Sequence, residues 1–235
     1  MIRRISGMPI RRSNNALVHA YYSLYCCTEF MSDWTANPEQ SLNAALEFGL
    51  RAVTLDDTDS TARWILAVAY IVLQNFMEAR LHLERALQLN PNDTEARCVY
   101  GWFLTCAGEH DRAIGQFDIA WRQNPFDVSW LPWIRGQAYF NARRYDEAIE
   151  TFKSAHDSNN EINAWLAASY ARAGRATEVT EKLQGFLRVA EREMIHFPGR
   201  QPEGWRRYLH RAFPFKDKAD FAHLYEGLRK AGLPL

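Results

Sequence analysis

Apolar residues recur along this chain at helical spacing, and the helices themselves recur. Ala45, Ala79, Ala113 and Ala148 stand 34, 34 and 35 positions apart, and each opens a stripe completed by Gly49 and Ala52, Leu83 and Ala86, Phe117 and Ala120, or Phe152 and Ala155. Residues three and four apart share a helix face, and the alanines admit a close neighbour. The stretches predict the second helices of four helical hairpins. A first helix precedes each of the last three: Leu66-Ala67 with Tyr70, Tyr100-Gly101 with Leu104, and Gly136 with Tyr139. The pattern returns once more as Leu166-Ala167 with Tyr170. Asn90-Pro91-Asn92-Asp93 and Asn124-Pro125-Phe126-Asp127 separate hairpins, proline ending one helix and a nearby Asp, Thr or Ser capping the next. Leu55-Asp56-Asp57-Thr58-Asp59 holds the same place without proline.

The ends of the chain depart from the period. The first hairpin, about 15–31 and 39–54, has Ser32-Asp33-Trp34-Thr35-Ala36-Asn37-Pro38 in place of a tight turn. The spacing falls to 31 between Ala148 and Val179, and Val179 and Phe186 replace small residues, as suits a terminal repeat that caps a stack. Phe197-Pro198-Gly199-Arg200-Gln201-Pro202 then breaks the helix. Two further helices are predicted, about 203–212 and Lys218–Ala231, the second with Phe221, Leu224, Tyr225 and Leu228 on one face and Gly232 as its stop. The organisation expected is a basic arm over 1–14, a solenoid of about five hairpins over 15–190, and capping or docking helices over 191–235.

A period of 34 with small, aromatic and proline residues in this order resembles the tetratricopeptide repeat family, from about residue 15 to 190. Leu66, Ala67, Tyr70, Ala79, Leu83, Ala86 and Pro91, then Tyr100, Gly101, Leu104, Ala113, Phe117, Ala120 and Pro125, stand at the family's offsets. The resemblance implies an all-α, right-handed superhelical solenoid whose first helices line a concave groove. The residues it turns inward are Thr61, Trp64, Val68 and Ile71, then Glu95, Cys98, Trp102 and Thr105, then Trp130, Trp133, Gln137 and Phe140. The closing text, Phe213-Pro214-Phe215-Lys216-Asp217 followed by Leu228-Arg229-Lys230-Ala231-Gly232-Leu233-Pro234, resembles the carboxy-terminal repeat regions of bacterial class III nucleotide cyclases and winged-helix transcription regulators. Neither the cyclase's metal-binding aspartates nor a winged-helix segment is present.

Composition narrows the function. With 47% hydrophobic and 13% aromatic residues, the chain buries a core without staples. Lys plus Arg (28) equals Asp plus Glu (28), so no net field draws nucleic acid or an anionic membrane. The amino-terminal Arg3, Arg4, Arg11 and Arg12 are a local exception and read as a solvated tail. Cys26, Cys27, Cys98 and Cys106 form no CxxC or zinc spacing, and no apolar run spans a bilayer, so a cytoplasmic chain is expected. No nucleophile with a base, carboxylate pair, phosphate loop or metal set stands out. His110, His156 and His210 read as exposed structural histidines, and the cysteines as packing residues. The expectation is therefore no enzyme, cofactor or metal.

What remains is a protein-interaction scaffold, expected to take an apolar or amphipathic segment in a groove of Trp64, Val68, Ile71, Cys98, Trp102, Trp130, Trp133, Gln137 and Phe140, within a bacterial regulatory system. The Lys, Asn and Arg of a carboxylate clamp are missing from the inward positions. The occupant stays open between an external segment and the chain's own last helix, as does homo-oligomerisation. The alternative is the regulatory remnant of a cyclase or DNA-binding regulator, inactive alone.

Overall fold

The computed structural model describes residues 13–125, 129–155 and 160–235; Arg3, Arg4, Arg11 and Arg12, and with them Phe126, Asp127 and His156, lie outside these. Among the described residues every regular element is an α-helix: α1 (Ala16–Met31), α2 (Pro38–Leu55), α3 (Ser60–Val72), α4 (Phe76–Leu89), α5 (Thr94–Cys106), α6 (His110–Gln123), α7 (Leu131–Asn141), α8 (Tyr145–Lys153), α9 (Asn160–Arg172), α10 (Ala176–Glu193), α11 (Pro202–Ala212) and α12 (Lys218–Ala231). The first ten pair into five antiparallel hairpins. The first helices α1, α3, α5, α7 and α9 contact one another in succession and form an inner layer, and the second helices form an outer one.

Helix ends follow the local chemistry. Asp59 accepts the backbone N–H groups of Thr61 and Ala62 at 2.7 and 3.4 Å, and Asp93 accepts that of Ala96 at 2.9 Å, so the predicted caps start α3 and α5. At the other end of each first helix, the residue after the cap is left-handed in all five hairpins: Asp33 (φ 59°), Gln74 (58°), Gly108 (85°), Arg143 (65°) and Gly174 (76°). Each turn is closed by the next residue's N–H, from Trp34 to Glu29 at 3.0 Å through Arg175 to Tyr170 at 2.9 Å.

Inside the α5–α6 and α7–α8 hairpins the small residue of the first helix faces the large one of the second. A Cβ on Gly101 would stand 2.4 Å from Phe117 Cε1, and one on Gly136 would stand 2.4 Å from Phe152 Cε1. The same repeat positions elsewhere hold Ala67 with Leu83, and Ala167 with Leu183. Glycine goes with phenylalanine and alanine with leucine, so the volume of the pair is conserved as the repeat varies.

The carboxy-terminal segment does not extend the stack. Helix α10 runs on to the break at 194–201, α11 turns back, and α12 crosses the inner layer at the carboxy-terminal ends of α5, α7 and α9. Lys216 N–H donates to Cys106 O at 2.8 Å, and Asp220 lies 3.0 Å from His110 and 3.7 Å from Arg143. His223 packs on Phe140 at 4.8 Å and reaches the Tyr145 hydroxyl at 3.2 Å. Burial first, then Arg143 and Arg172, hold the His223 imidazole down to about 4, so it is neutral there at physiological pH. Trp165 of α9 is closed in by Phe140, Phe213 and Phe215. His110 therefore differs from its expected exposure: it is partly buried beneath α12, because Asp220 is folded against it. His210 is exposed as expected and stacks on Phe221 at 3.7 Å.

The two ends of the solenoid meet. Helix α11 touches α1, and the contact centres on Asp33, whose side chain is almost fully buried. Its carboxylate accepts the His196 backbone N–H at 2.7 Å and the Arg211 guanidinium at 2.5 Å, with His196 Nδ1 at 2.9 Å, while its carbonyl accepts Ile195 N–H at 2.9 Å. Arg211 also lies 5.7 Å above the Phe30 ring.

Two substitutions test these contacts. Gly101→Ala should lower stability by about 1–3 kcal/mol in urea denaturation, and Phe117→Leu in the same chain should restore most of it, since the pair then matches Ala67 and Leu83. Asp33→Gly relieves a left-handed backbone but strips Arg211 of its carboxylate. It should cost about 2–4 kcal/mol, with Asp33→Asn costing less, whereas stabilisation by glycine would show that backbone strain outweighs the clasp.

Candidate functional site

Where the two ends meet, the inner face borders a cavity of about 740 Å³ to which all five inner helices contribute. Its first wall is the inner layer: Trp64 and Val68 from α3, Glu95, Val99 and Trp102 from α5, Trp130 before α7, and Trp133 and Ile134 on it. Helix α1 adds Tyr21, Leu24, Thr28 and Met31, and the clasp loop adds Trp34. The opposite wall is Phe186, Val189 and Ala190 of α10 with Tyr208 and Ala212 of α11, and Glu161 of α9 stands between. Tyr21 and Trp34 remain 51% and 44% exposed, which places them at the rim.

Of the inward residues expected from the sequence, Trp64, Val68, Trp102, Trp130 and Trp133 line this cavity; Ile71, Cys98, Gln137 and Phe140 do not and are fully buried. The division follows position along the helices. Phe140, near the carboxy-terminal end of α7, sits under His223 and the backbone of Gly227, so α12 occupies that end of the groove. Among the described residues no side chain of α12 lines the cavity; α10, α11 and Trp34 share its lining with Trp64 and Trp102 instead.

Glu161, Tyr208 and Asp33 were not singled out in the sequence. Tyr208 donates its hydroxyl to Glu161 at 3.1 Å. Burial pushes the Glu161 carboxyl up to about 7, an effect the hydrogen bond from Tyr208 partly opposes. Burial, followed by the carboxylates of Glu95, Asp59 and Asp93, holds the Tyr21 phenol above its ordinary range, so the α1 side of the cavity lies in a negative field. Arg192 donates to Glu193 at 2.7 Å, so these two lining charges answer each other. The indole N–H groups of Trp64 and Trp133 have no acceptor among the described residues. Desolvation raises all four thiols, Cys26 to about 11 and Cys98 to about 12, which leaves them protonated and suits packing rather than chemistry.

The comparisons with known proteins agree with this geometry. Residues 65–128 and 107–161 match the tetratricopeptide repeat family. Tetratricopeptide repeat protein 21A of Homo sapiens is 33% identical over 96 residues, which are 40% of this chain and only 7% of that protein. Among solved structures, TTC0263, a thermophilic TPR protein of Thermus thermophilus, is 20% identical with a TM-score of 0.60, over 82% of this chain and 98% of that one. PilW, a widely conserved type IV pilus biogenesis factor, is 17% identical with a TM-score of 0.60, over 89% and 96% of the two chains. Identities this low speak for the fold. Residues 65–161 carry the match to tetratricopeptide repeats, and the described chain folds as a helical solenoid like those structures. Among the described residues no helix is long and apolar enough to cross a membrane.

Glu161 makes the site pH-dependent. Its folded value of about 7 lies above the ordinary 4.5, so between these the folded state keeps a proton that the unfolded chain has released. Stability should therefore fall as pH rises from about 5 to 8, by up to about 3 kcal/mol from this group. Glu161→Gln, which keeps an acceptor for Tyr208, should lose less over that range; parallel urea midpoints for the two proteins would refute the assignment.

Proposed function

We propose that this solenoid is a protein-interaction module that takes a short segment of another protein in the cavity enclosed by α1, α3, α5, α7, α10 and α11. The observation that carries the reading is the convergence of Trp34, Trp64, Trp102, Trp130 and Trp133 on one space that the chain's own last helix leaves open. Tryptophan gives large contact area with few rotatable bonds and one donor, which is why it anchors partner segments. Five indoles held by rigid helices and a tied loop are preorganised for that role. The scale fits a few residues in extended form; about 740 Å³ lies within the range of ligand sites and excludes a full amphipathic helix. Ile71, Cys98, Gln137 and Phe140 then support the cavity from behind rather than touching the segment. The reading assigns the chain no catalytic step, a cytoplasmic place and a role in a regulatory assembly.

An array of short random peptides tests it. The wild type should retain a subset of peptides that Trp102→Ala loses and Trp102→Phe weakens by roughly tenfold, a loss of the order expected for a buried aromatic anchor. Trp121→Ala, which changes a 48% exposed residue of the outer helix α6, should retain the same subset. Retention unaffected by Trp102, or no peptide retained at all, would reject the cavity as the site.

A further inference from the structure

Helix α12 has a second side. Asp220, His223, Leu224, Gly227 and Leu228 are buried on the side that meets the inner layer. The other side carries Lys218, Phe221, Ala222, Tyr225, Glu226 and Arg229, which with Arg206 and His210 of α11 border a groove of about 580 Å³. Counted from Lys218, these residues fall three, four, seven, eight and eleven positions on, so they form one stripe along the helix. At about 1.5 Å per residue the stripe is about 16 Å long. Its floor is aromatic: the His210 ring stacks on Phe221 at 3.7 Å, and Tyr225 lies against Phe221 at 4.7 Å. Burial holds the His210 imidazole below its ordinary range, so at neutral pH it offers a ring rather than a charge. The charge comes from elsewhere. Residues 200–235 hold eight Lys and Arg against four Asp and Glu, although the whole chain is balanced at 28 of each. Lys218 and Arg229 are exposed at the two ends of the stripe, and among the described residues no ion pair or hydrogen bond engages either side chain. Arg206 is shared with Glu203 at 3.1 Å. Glu226, the acidic side chain among the lining residues, is already answered by Arg172 at 2.5 Å and Lys230 at 3.2 Å.

We propose that this groove docks a short acidic segment of a partner protein, an apolar stretch laid along α12 with a carboxylate at each end, one toward Lys218 and one toward Arg229. The surface is distinct from the cavity, since none of its residues lines that space, and it stands whether or not the cavity takes a peptide. Charge decides the sign of the partner. A cationic segment would meet Lys218, Arg206 and Arg229 with no free carboxylate to answer it, whereas carboxylates gain two unengaged cations. Length and floor decide its form. A compact anion answers the cations but leaves the rings between them in water, while a segment of about three helical turns spans the stripe and covers Tyr225 and His210 on the way. The cations lie at exposed ends of the groove, so they act on association and partner choice and remain open to screening by salt.

The test uses the full chain and dye-labelled, end-blocked peptides of about twelve residues, one apolar sequence whose two end positions are both glutamate, both glutamine or both lysine, followed by fluorescence anisotropy. At low salt the glutamate peptide should bind about tenfold more tightly than the glutamine peptide, and the lysine peptide more weakly still. The margin should shrink several-fold as sodium chloride is raised. Lys218→Glu combined with Arg229→Glu should weaken the glutamate peptide and strengthen the lysine one, an exchange of preference that damage to the fold does not produce, while the far-ultraviolet circular dichroism stays as in the wild type. Equal binding of the glutamate and glutamine peptides, or none by either, would overturn the proposal, as would a glutamate peptide held unchanged by the double variant. Loss of that peptide on Trp102→Ala would place it in the cavity and overturn the proposal too. Pyrophosphate or a single-stranded oligonucleotide displacing it at equal concentration would assign the groove to phosphates instead. The peptide series on the wild type decides the matter even where a variant fails to fold.

Discussion

The structure depends on one buried carboxylate. Open stacks of helical hairpins have two free ends and a continuous concave face, because each repeat contacts only its neighbours. Here Asp33 joins the ends: a single side chain receives His196 and Arg211 from a segment more than 160 positions away in sequence, and its carbonyl receives Ile195. Burying a carboxylate is costly unless charge and hydrogen bonds compensate, and here a guanidinium and a backbone N–H both do. With that contact made, Trp34 is held against the far wall and the inner face becomes one side of a bounded space, whose other side α10 and α11 form by packing on α9 and on each other.

The clasp grows out of the repeat. All five hairpin turns need one left-handed residue, and glycine fills the slot at Gly108 and Gly174. At Asp33 and Arg143 the slot carries a charged side chain, and both reach the carboxy-terminal segment, Asp33 to Arg211 and Arg143 to Asp220. Gly108 lies against the same Asp220, where an added Cβ would stand 3.7 Å from the carboxylate. Asp is among the residues that tolerate a positive φ best, so the backbone demand of a turn and the side-chain demand of a clasp are met at one position. A local requirement of helical hairpins has thus been turned into a fastening for the last forty residues.

These two levels differ in how far the sequence reveals them. The hairpins were legible because their signals are local and repeated: Ala45, Ala79, Ala113 and Ala148 mark the second helices, and Asp59 and Asp93 cap where proline and aspartate suggest. Trp64, Trp102, Trp130 and Trp133 were legible as one surface because the period fixes which side of each helix faces in. The closure was not legible, since Asp33 differs from any other loop aspartate only through partners at 195, 196 and 211; the sole local hint is the lengthened connection after α1. Glu161 and Tyr208 escaped notice for the same reason. Each looks like an ordinary helix residue until α11 is folded over α9. His110 was misread as exposed because nothing near it announces Asp220.

The carboxy-terminal segment divides the groove instead of filling it. Phe213 and Phe215 close over Trp165, and His223 and Gly227 close over Phe140, so the part of the inner face nearest the helix ends at α7 and α9 is spent on the chain itself. A neutral His223 suits that contact, since a charged imidazole there would face Arg143 and Arg172. The same segment, through α10 and α11, supplies the second wall of the space that remains. The fold's own closure therefore sets the size and lining of that space: the open stack would present one long face, but tied at Asp33 it presents a bounded pocket lined by Trp64, Trp102, Trp130 and Trp133.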